Sequence, residues 1–221
     1  MNPSSDLSLL EPALRDDPYG HWSALSAGQK AELALRVVLI GVESSGKTTL
    51  AQSLATHLKT NWVPEYGRDY TIDKYNSNNV TWTDYDFNVI AIKQSRMERE
   101  ALHLANQVLI CDTDALATCV WAERYLGHRV GYAEAVARRK AADLYILTMP
   151  DFPFVPDDIR DGEHIRDWMH GVFVERLAEV GVPTITVSGP NVNRMDVALR
   201  AIAALKTHNP RFSTEPFDPS A

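Results

Sequence analysis

Residues 36–50 read Arg-Val-Val-Leu-Ile-Gly-Val-Glu-Ser-Ser-Gly-Lys-Thr-Thr-Leu, an apolar run that passes directly into a polar loop bounded by glycines. Within it, residues 41–48 match the pattern G-x-x-x-x-G-K-[ST] at every fixed position. Leu50, Leu54 and Leu58 follow at a spacing that puts them on one face of a helix. A strand, a loop and a helix in this order predict a backbone nest that binds phosphate at the helix N-terminus.

The residue types in this loop suit a nucleoside triphosphate. Glycine lets the backbone curl without a clashing Cβ, Lys47 is expected to reach the β- and γ-phosphates, and the Thr48 hydroxyl is expected to help hold Mg²⁺. The chain contains no guanine-reading N-K-x-D motif, so we predict ATP and Mg²⁺ as cofactors. The predicted ATP-binding residues are Gly41, Glu43, Ser44, Ser45, Gly46, Lys47, Thr48 and Thr49. The alternative is a glycine-rich turn without a ligand.

Short apolar runs alternate with longer segments of helical spacing along most of the chain. Unbroken apolar runs favour strands that are buried on both faces of a parallel sheet. We expect strands at residues 36–40, 61–63, 108–111, 144–148 and 184–187. A long helix is expected from about Asp84, with Thr83 or Asp84 as its N-cap. The pattern predicts an α/β P-loop NTPase fold, a parallel five-stranded sheet flanked by helices, with a lid loop.

Composition limits the partners of the chain. The 221 residues carry a formal charge of −7, which argues against wholesale binding of nucleic acid. There is no apolar run of about 18 residues for a membrane span, and the N-terminus has no secretory pattern. Cys111 and Cys119 lie in apolar contexts and are interpreted as reduced core residues, so we expect a cytoplasmic protein.

Two carboxylates follow the strand expected at 108–111. Asp112 and Asp114 should lie at the carboxyl end of the sheet, where ligands bind in open α/β folds. Asp112 is the predicted second metal-shell residue beside Thr48. Asp114 is predicted to bind metal or a sugar hydroxyl, and the alternative is that it caps the helix beginning at Ala115.

A second charged group follows the strand expected at 61–63. Residues 64–70 read Pro-Glu-Tyr-Gly-Arg-Asp-Tyr and should emerge near the phosphate loop. Glu65 would accept a proton from an attacking hydroxyl, and Arg68 would neutralise phosphate charge. The alternative is a structural Glu65–Arg68 pair on a loop.

Two further segments complete the candidate site. Residues 151–162 form a proline-containing charged loop, and we predict a lid that brings Arg160 onto the transferring phosphoryl group. Tyr75, Trp82 and Tyr85 stand among polar residues, where a flat cationic ring would gain cation–π attraction. The alternatives are a solvated loop and aromatic rings packed on the domain surface.

Several of these motifs together resemble one family. Residues 43–50, the Glu65–Arg68 E-Y-G-R element and the Asp112–Asp114 D-T-D element are similar to the nicotinamide riboside kinase domain of NadR-type proteins. The segments 82–94 and 155–160 are also similar. The resemblance implies transfer of phosphate from ATP to nicotinamide riboside, giving nicotinamide mononucleotide and ADP. It implies Lys47, Glu65, Arg68, Asp112 and Arg160 as catalytic residues, and Glu65, Tyr66, Arg68, Tyr75, Trp82 and Asp114 as substrate-binding residues.

The resemblance also suggests how the chain is divided. Asp17-Pro18-Tyr19-x-x-Trp22 resembles the connector that joins the kinase to an upstream adenylyltransferase domain in full-length members. We expect a connector-like segment at 1–35, a P-loop kinase domain at 36–207 and a flexible tail at 208–221. Two other functions stay open: a deoxynucleoside or nucleotide kinase, and a nucleotide-binding regulatory module without kinase turnover.

Overall fold

The computed structural model describes residues 11–77, 81–139, 142–155 and 162–208. The strands are β1 (Leu35–Ile40), β2 (Trp62–Val63), β3 (Val108–Asp112), β4 (Leu144–Thr148) and β5 (Thr184–Val187). They form one parallel sheet in the order β2-β3-β1-β4-β5. The predicted five-stranded parallel sheet is therefore confirmed, and each strand lies within a residue of its expected place.

Helices pack on both faces of this sheet. In chain order they are α1 (Pro12–Asp16), α2 (Ala27–Leu33), α3 (Lys47–Leu58), α4 (Tyr66–Asn76), α5 (Asp84–Leu102), α6 (Ala115–Leu126), α7 (Gly131–Arg139), α8 (Arg166–Val180) and α9 (Asn191–Thr207). Single 3₁₀ turns occur at Trp22–Ala24 and Glu163–Ile165. None of the described helices is long and apolar enough to cross a membrane.

The two faces of β1 bury different layers because successive side chains of a strand point in opposite directions. Val38 and Ile40 belong to the core cluster that contains apolar residues of α5, α6, α7 and α8. Val37 and Leu39 belong to the cluster that contains α3 and α9. Tyr19 joins the second cluster, and its hydroxyl donates to the carbonyl of Leu33, so the segment before β1 packs on the domain.

Local sequence signals explain where several helices begin. Ser26 and Gln29 form a capping box at the start of α2. At the start of α5, the Asp86 carboxylate accepts from both the N–H and the hydroxyl of Thr83, so Thr83 is the N-cap.

Cys111 and Cys119 are both buried and carry free thiols.

Candidate active site

The phosphate loop needs glycine at two positions. Gly41 and Gly46 have φ angles of +142° and +83°, which side-chain-bearing residues rarely adopt. A Cβ at Gly41 would lie 2.7 Å from the Thr148 hydroxyl oxygen, and one at Gly46 would lie 3.0 Å from Phe152 Cε2. Larger residues at either position would therefore push the loop off the sheet or away from Phe152.

Polar contacts hold the loop in its curled shape. The Ser45 hydroxyl donates to the Val42 carbonyl at 2.7 Å and lies 2.7 Å from the Thr148 hydroxyl. Lys47 Nζ donates to the same Val42 carbonyl at 2.8 Å. The lysine ammonium is thereby kept over the loop, beside the N-terminus of α3, where it can meet a bound phosphate.

A cavity of about 480 Å³ opens beside this loop. Its volume is in the range of small-molecule sites. The predicted residues that line it are Glu43, Ser44, Ser45, Gly46, Lys47, Thr48, Thr49, Glu65, Arg68, Trp82 and Asp112. The structure therefore brings the carboxyl ends of β1, β2 and β3 together around one space.

Asp112 and Asp114 diverge although they are only two residues apart. Thr48 Oγ1 donates to Asp112 Oδ2 at 2.5 Å, which joins the phosphate loop to the end of β3. Asp114 accepts from the N–H groups of Leu116 and Ala117 and from the Tyr145 hydroxyl. Burial raises the pKa of Asp114. Asp114 does not line the cavity, so the structure favours its helix-capping alternative over a role at the sugar.

Backbone strain separates these two carboxylates. Thr113 has a φ angle of +70°, an uncommon value for a β-branched residue. Its N–H donates to the Leu39 carbonyl at 3.0 Å, which holds the strained turn against β1. Strain of this kind is found preferentially at functional sites. Thr113 itself lines the cavity.

Glu65 stands at the N-cap position of α4, and its side chain makes no capping hydrogen bond there. No helix was predicted here, and the alternative placed Glu65 and Arg68 on a loop, whereas residues 66–76 form a helix that packs on α5. Burial raises the pKa of Glu65 to about 7. The cations Lys47 and Arg68 lower this pKa, whereas the carboxylates Asp112 and Glu43 raise it. A carboxyl group with this pKa can both accept and release a proton near neutral pH.

Four aromatic residues that line the cavity form a cluster, which we call the aromatic wall: Trp82, Phe87, Trp121 and Tyr125. Trp82 stacks on Phe87 and on Tyr125 with ring centroids 5.1 Å apart in both pairs. Lys74 Nζ lies 5.3 Å from the centre of the Trp82 ring, and Asp86 pairs with that ammonium at 2.9 Å. Trp121 completes the wall beside Tyr125.

The remaining predicted residues lie elsewhere. Gly41, Tyr66 and Tyr75 do not line the cavity, and Tyr66 packs its ring against Tyr70 instead. Arg160 falls outside the described residues. Prediction from sequence missed many lining residues, among them Asp69, Thr71, Phe87, Gln94, Thr113, Trp121 and Tyr125. The spacing along the chain could have indicated two pairs of these residues. Phe87 and Gln94 are seven residues apart and Trp121 and Tyr125 are four apart, so each pair lies on one face of a helix.

The described edges of the expected lid contact the phosphate loop. The N–H of Val155 donates to the Ser44 hydroxyl at 3.1 Å, and the N–H of Gly162 donates to Glu43 at 3.2 Å. Arg166 donates to the carbonyls of Phe152 and Ser44. Residues 156–161, between these edges, lie outside the described part of the chain.

Comparison with known families and proteins gives concordant matches. A family model described as an AAA domain matches residues 36–194. The trifunctional NAD biosynthesis/regulator protein NadR of Escherichia coli (strain K12) is 28% identical over 183 residues, which cover 82% of this chain and 45% of NadR. NadR of Salmonella typhimurium is 29% identical over 176 residues, which cover 79% and 43% respectively. The chain thus spans less than half the length of the curated relatives it matches.

Solved structures share the fold. A NadR protein in complex with NR has a TM-score of 0.76 and 21% identity, with 96% of this chain and 61% of that chain covered. NadR in complex with NAD and AMP-PNP has a TM-score of 0.71 at 21% identity, covering 96% and 59%. Deoxyadenosine kinase from M. mycoides has a TM-score of 0.59 at 12% identity, covering 76% and 99%. At these identities the likeness establishes the fold.

Proposed function

We propose that this chain, which belongs to the AAA domain family by a match over residues 36–194, is an ATP-dependent nicotinamide riboside kinase. The proposed reaction phosphorylates the 5′-hydroxyl of nicotinamide riboside and yields nicotinamide mononucleotide and ADP. Support comes from homology to NadR, a protein named for NAD biosynthesis, and from the shared fold with NadR in complex with NR. We assign this activity to residues 36–207.

The observation that carries the proposal is the position of Glu65. Glu65 lines the same cavity as the phosphate loop, and the pKa of its carboxyl group is raised to about 7 by burial. In the proposed step the 5′-oxygen attacks the γ-phosphorus of ATP, and the bond from this phosphorus to the β–γ bridging oxygen breaks. Glu65 takes the hydroxyl proton, and the electron pair leaves with ADP.

The phosphate side of the site stabilises charge rather than forming covalent bonds. Lys47 and the N-terminus of α3 would hold the β- and γ-phosphates. Arg68, which also lines the cavity, would balance charge on the transferring group. Arg160 stays a proposal of the same kind, since it lies outside the described residues.

The side chains of Thr48 and Asp112 fit a magnesium ion. A hydroxyl and a carboxylate oxygen converge there to 2.5 Å, and Mg²⁺ prefers oxygen ligands. We propose that these two residues hold Mg²⁺ together with phosphate oxygens. When bound, the ion would neutralise the negative charge of the phosphates.

We propose that the aromatic wall binds the phosphate acceptor, nicotinamide riboside. A pyridinium ring carries a positive charge, and the faces of Trp82 and its neighbours would attract it. Trp82, which was predicted from the sequence, lines the cavity. Phe87, Trp121 and Tyr125, which were not predicted, line it as well. We therefore propose this wall, rather than Tyr66 or Tyr75, as the surface that receives the pyridine.

The direct test is incubation with Mg²⁺-ATP and a panel of nucleosides, followed by mass analysis of the products. The panel contains nicotinamide riboside, nicotinic acid riboside, deoxyadenosine and thymidine. We expect phosphorylation of a pyridine riboside at the highest kcat/KM. A preference for deoxyadenosine would instead identify a deoxynucleoside kinase. ADP release that is slow and independent of every acceptor would identify a nucleotide-binding module without kinase turnover.

A further inference from the structure

Glu65 receives little support from the sheet. It follows β2, which has two residues and lies at the sheet edge with one hydrogen-bonded neighbour, β3. Edge strands are held less firmly than central ones because their outer hydrogen-bonding groups are not paired in the sheet. The residue that carries the proposed base must therefore be held in place by another part of the molecule.

Gln94 of α5 provides a contact at this point. The N–H of Tyr66, the group directly after Glu65 in the chain, donates to Gln94 Oε1 at 2.9 Å. Gln94 is 1% exposed and lines the cavity on the same helical face as Phe87 and Ile90. Among the described residues its Nε2 atom has no hydrogen-bond partner, so the carbonyl oxygen is the group that the fold uses.

Helix α5, which carries Gln94, is well anchored in the core of the domain. It spans 19 residues, begins at a capping box, and buries Phe87, Ile90 and Ala91 in the core. A Cβ at Gly67 would lie 3.6 Å from both Ile90 Cγ2 and Glu65 Oε1, which is an ordinary van der Waals distance, so the start of α4 lies beside α5. The first turn of α4 thus lies against α5 at the point where Gln94 accepts its hydrogen bond.

We infer that Gln94 is a positioning residue for Glu65, an inference that rests on the proposed kinase function. The hydrogen bond to Tyr66 N–H fixes the peptide plane between residues 65 and 66, and this plane restrains the Glu65 backbone and the direction of its Cα–Cβ bond. The Glu65 side chain makes no capping hydrogen bond of its own, and Glu65 lines the cavity. Small displacements of a reacting group can cost a large factor in rate.

A double-mutant cycle tests whether Gln94 acts through Glu65. We expect Gln94→Met to lower kcat about 10–100-fold while the KM for ATP stays within about 2-fold. In a Glu65→Gln background the same change should lower kcat by less than about 3-fold, because the group it positions is already lost. Ser95→Ala is the matched control, since Ser95 is the next residue on α5, is buried, and has no hydrogen-bond partner for its hydroxyl among the described residues.

A second measurement follows the contact without any substrate. We expect the Tyr66 amide proton to exchange with solvent at least about 10-fold faster in Gln94→Met than in the wild type, measured by NMR. Gln94→Glu keeps an acceptor oxygen and should retain protection within about 3-fold. Equal protection in Gln94→Met and the wild type would show that the contact does not hold this peptide.

The outcomes separate the two proposals. An active enzyme in which Gln94→Met costs the same factor in both backgrounds would overturn the positioning role and leave the kinase function intact. A wild-type chain that phosphorylates no nucleoside would overturn the kinase function, and the positioning role would fall with it. Coupling in the cycle together with faster Tyr66 exchange would support both.

Discussion

At the residue scale, the chemistry of the site depends on Glu65 and the four charges around it. Burial is the largest effect on its carboxyl group and raises its pKa to about 7. This value is the net result: the two nearby carboxylates contribute to the rise of the pKa, and the two cations offset part of it. A group with this pKa is divided between its two protonation states at neutral pH, so modest changes of pH alter the fraction that can act as a base.

The first prediction concerns activity against pH. If ionised Glu65 is the base, the wild-type kcat/KM should rise with pH up to about 7 and level off above it. Glu65→Gln should lower kcat about 10²–10³-fold and lose this rise. The measurement is a pH–rate profile of each protein at saturating ATP. Glu100→Gln, an exposed change on α5, serves as the control, and an unchanged profile in Glu65→Gln would remove Glu65 from the role of base.

The same pKa has a consequence for stability. Because the folded-state pKa lies above the usual value of 4.5, folding favours the protonated form, and stability falls as pH rises from about 4.5 to about 7. Glu65→Gln removes this loss. Its Tm should exceed that of the wild type by a few degrees at pH 8, with a smaller difference at pH 5, in thermal scans. A difference that does not change between these pH values would contradict the burial of this carboxyl group.

At the element scale, helix α9 contacts the phosphate loop through the side chain of Arg194. Arg194 is 1% exposed and donates to the Ser45 carbonyl at 2.6 Å and the Gly189 carbonyl at 2.8 Å. It also donates to the Met149 carbonyl and pairs with Asp151. One side chain thus connects α9, the phosphate loop and the segment after β4.

Removing this connection should be costly. Arg194→Met would leave three carbonyls, one buried and two part-buried, and the Asp151 carboxylate without their cationic donor, so we expect unfolding to require about 2–4 kcal/mol less free energy. Urea denaturation gives the value. The KM for ATP should rise as well, because Ser45 belongs to the phosphate loop.

The control for this change lies on the same helix. Arg200 pairs with Asp196 at 3.0 Å, but its side chain is 69% exposed. Arg200→Met should therefore change stability by less than about 0.5 kcal/mol. Equal losses in the two variants would indicate that the helix rather than the Arg194 contacts determines the effect.

At the scale of the whole molecule, the parallel sheet determines where the site forms. All five strands run in one direction, so the segments after β1, β2 and β3 leave at the same edge. The phosphate loop, Glu65 and Asp112 come from these segments and meet in one cavity. Ligand binding at this edge is therefore linked to the stability of the entire domain.

This linkage gives a prediction for Lys47. Mg²⁺-ATP at about 100 times its Kd should stabilise the wild type by about 2.7 kcal/mol and raise its Tm by roughly 5–10 °C. Lys47→Ala should fold normally, since Val42 keeps the hydrogen bond from Ser45, but should lose most of this shift and most turnover. Thermal scans with and without the nucleotide measure the shift in Tm. Lys93→Ala, a change at an exposed lysine, serves as the control. A full shift in Lys47→Ala would contradict the phosphate assignment.

Sequence patterns predicted the elements whose signals are local. The β1–loop–α3 unit, the five strands and the Thr83 cap of α5 rest on residues adjacent along the chain. Helix α4 was missed because residues 66–76 have little apolar periodicity of their own. It is stabilised by contacts with α5, among them the bonds that Tyr70 and Lys74 donate to Asp86.

The identity of the phosphate loop and of the sheet could be read from the chain alone, because backbone torsions and hydrophobic spacing act between near neighbours. The full set of carboxylates and rings that share the cavity could not be read in this way, although Glu65, Asp112 and Trp82 were predicted. The sequence allowed both Asp112 and Asp114 to bind a ligand, yet the backbone turns at Thr113, which has a positive φ angle, and the two carboxylates meet different partners. Trp121 and Tyr125 join Trp82, while Tyr66 and Tyr75 lie outside the lining, because packing between helices sets which side chains meet across space.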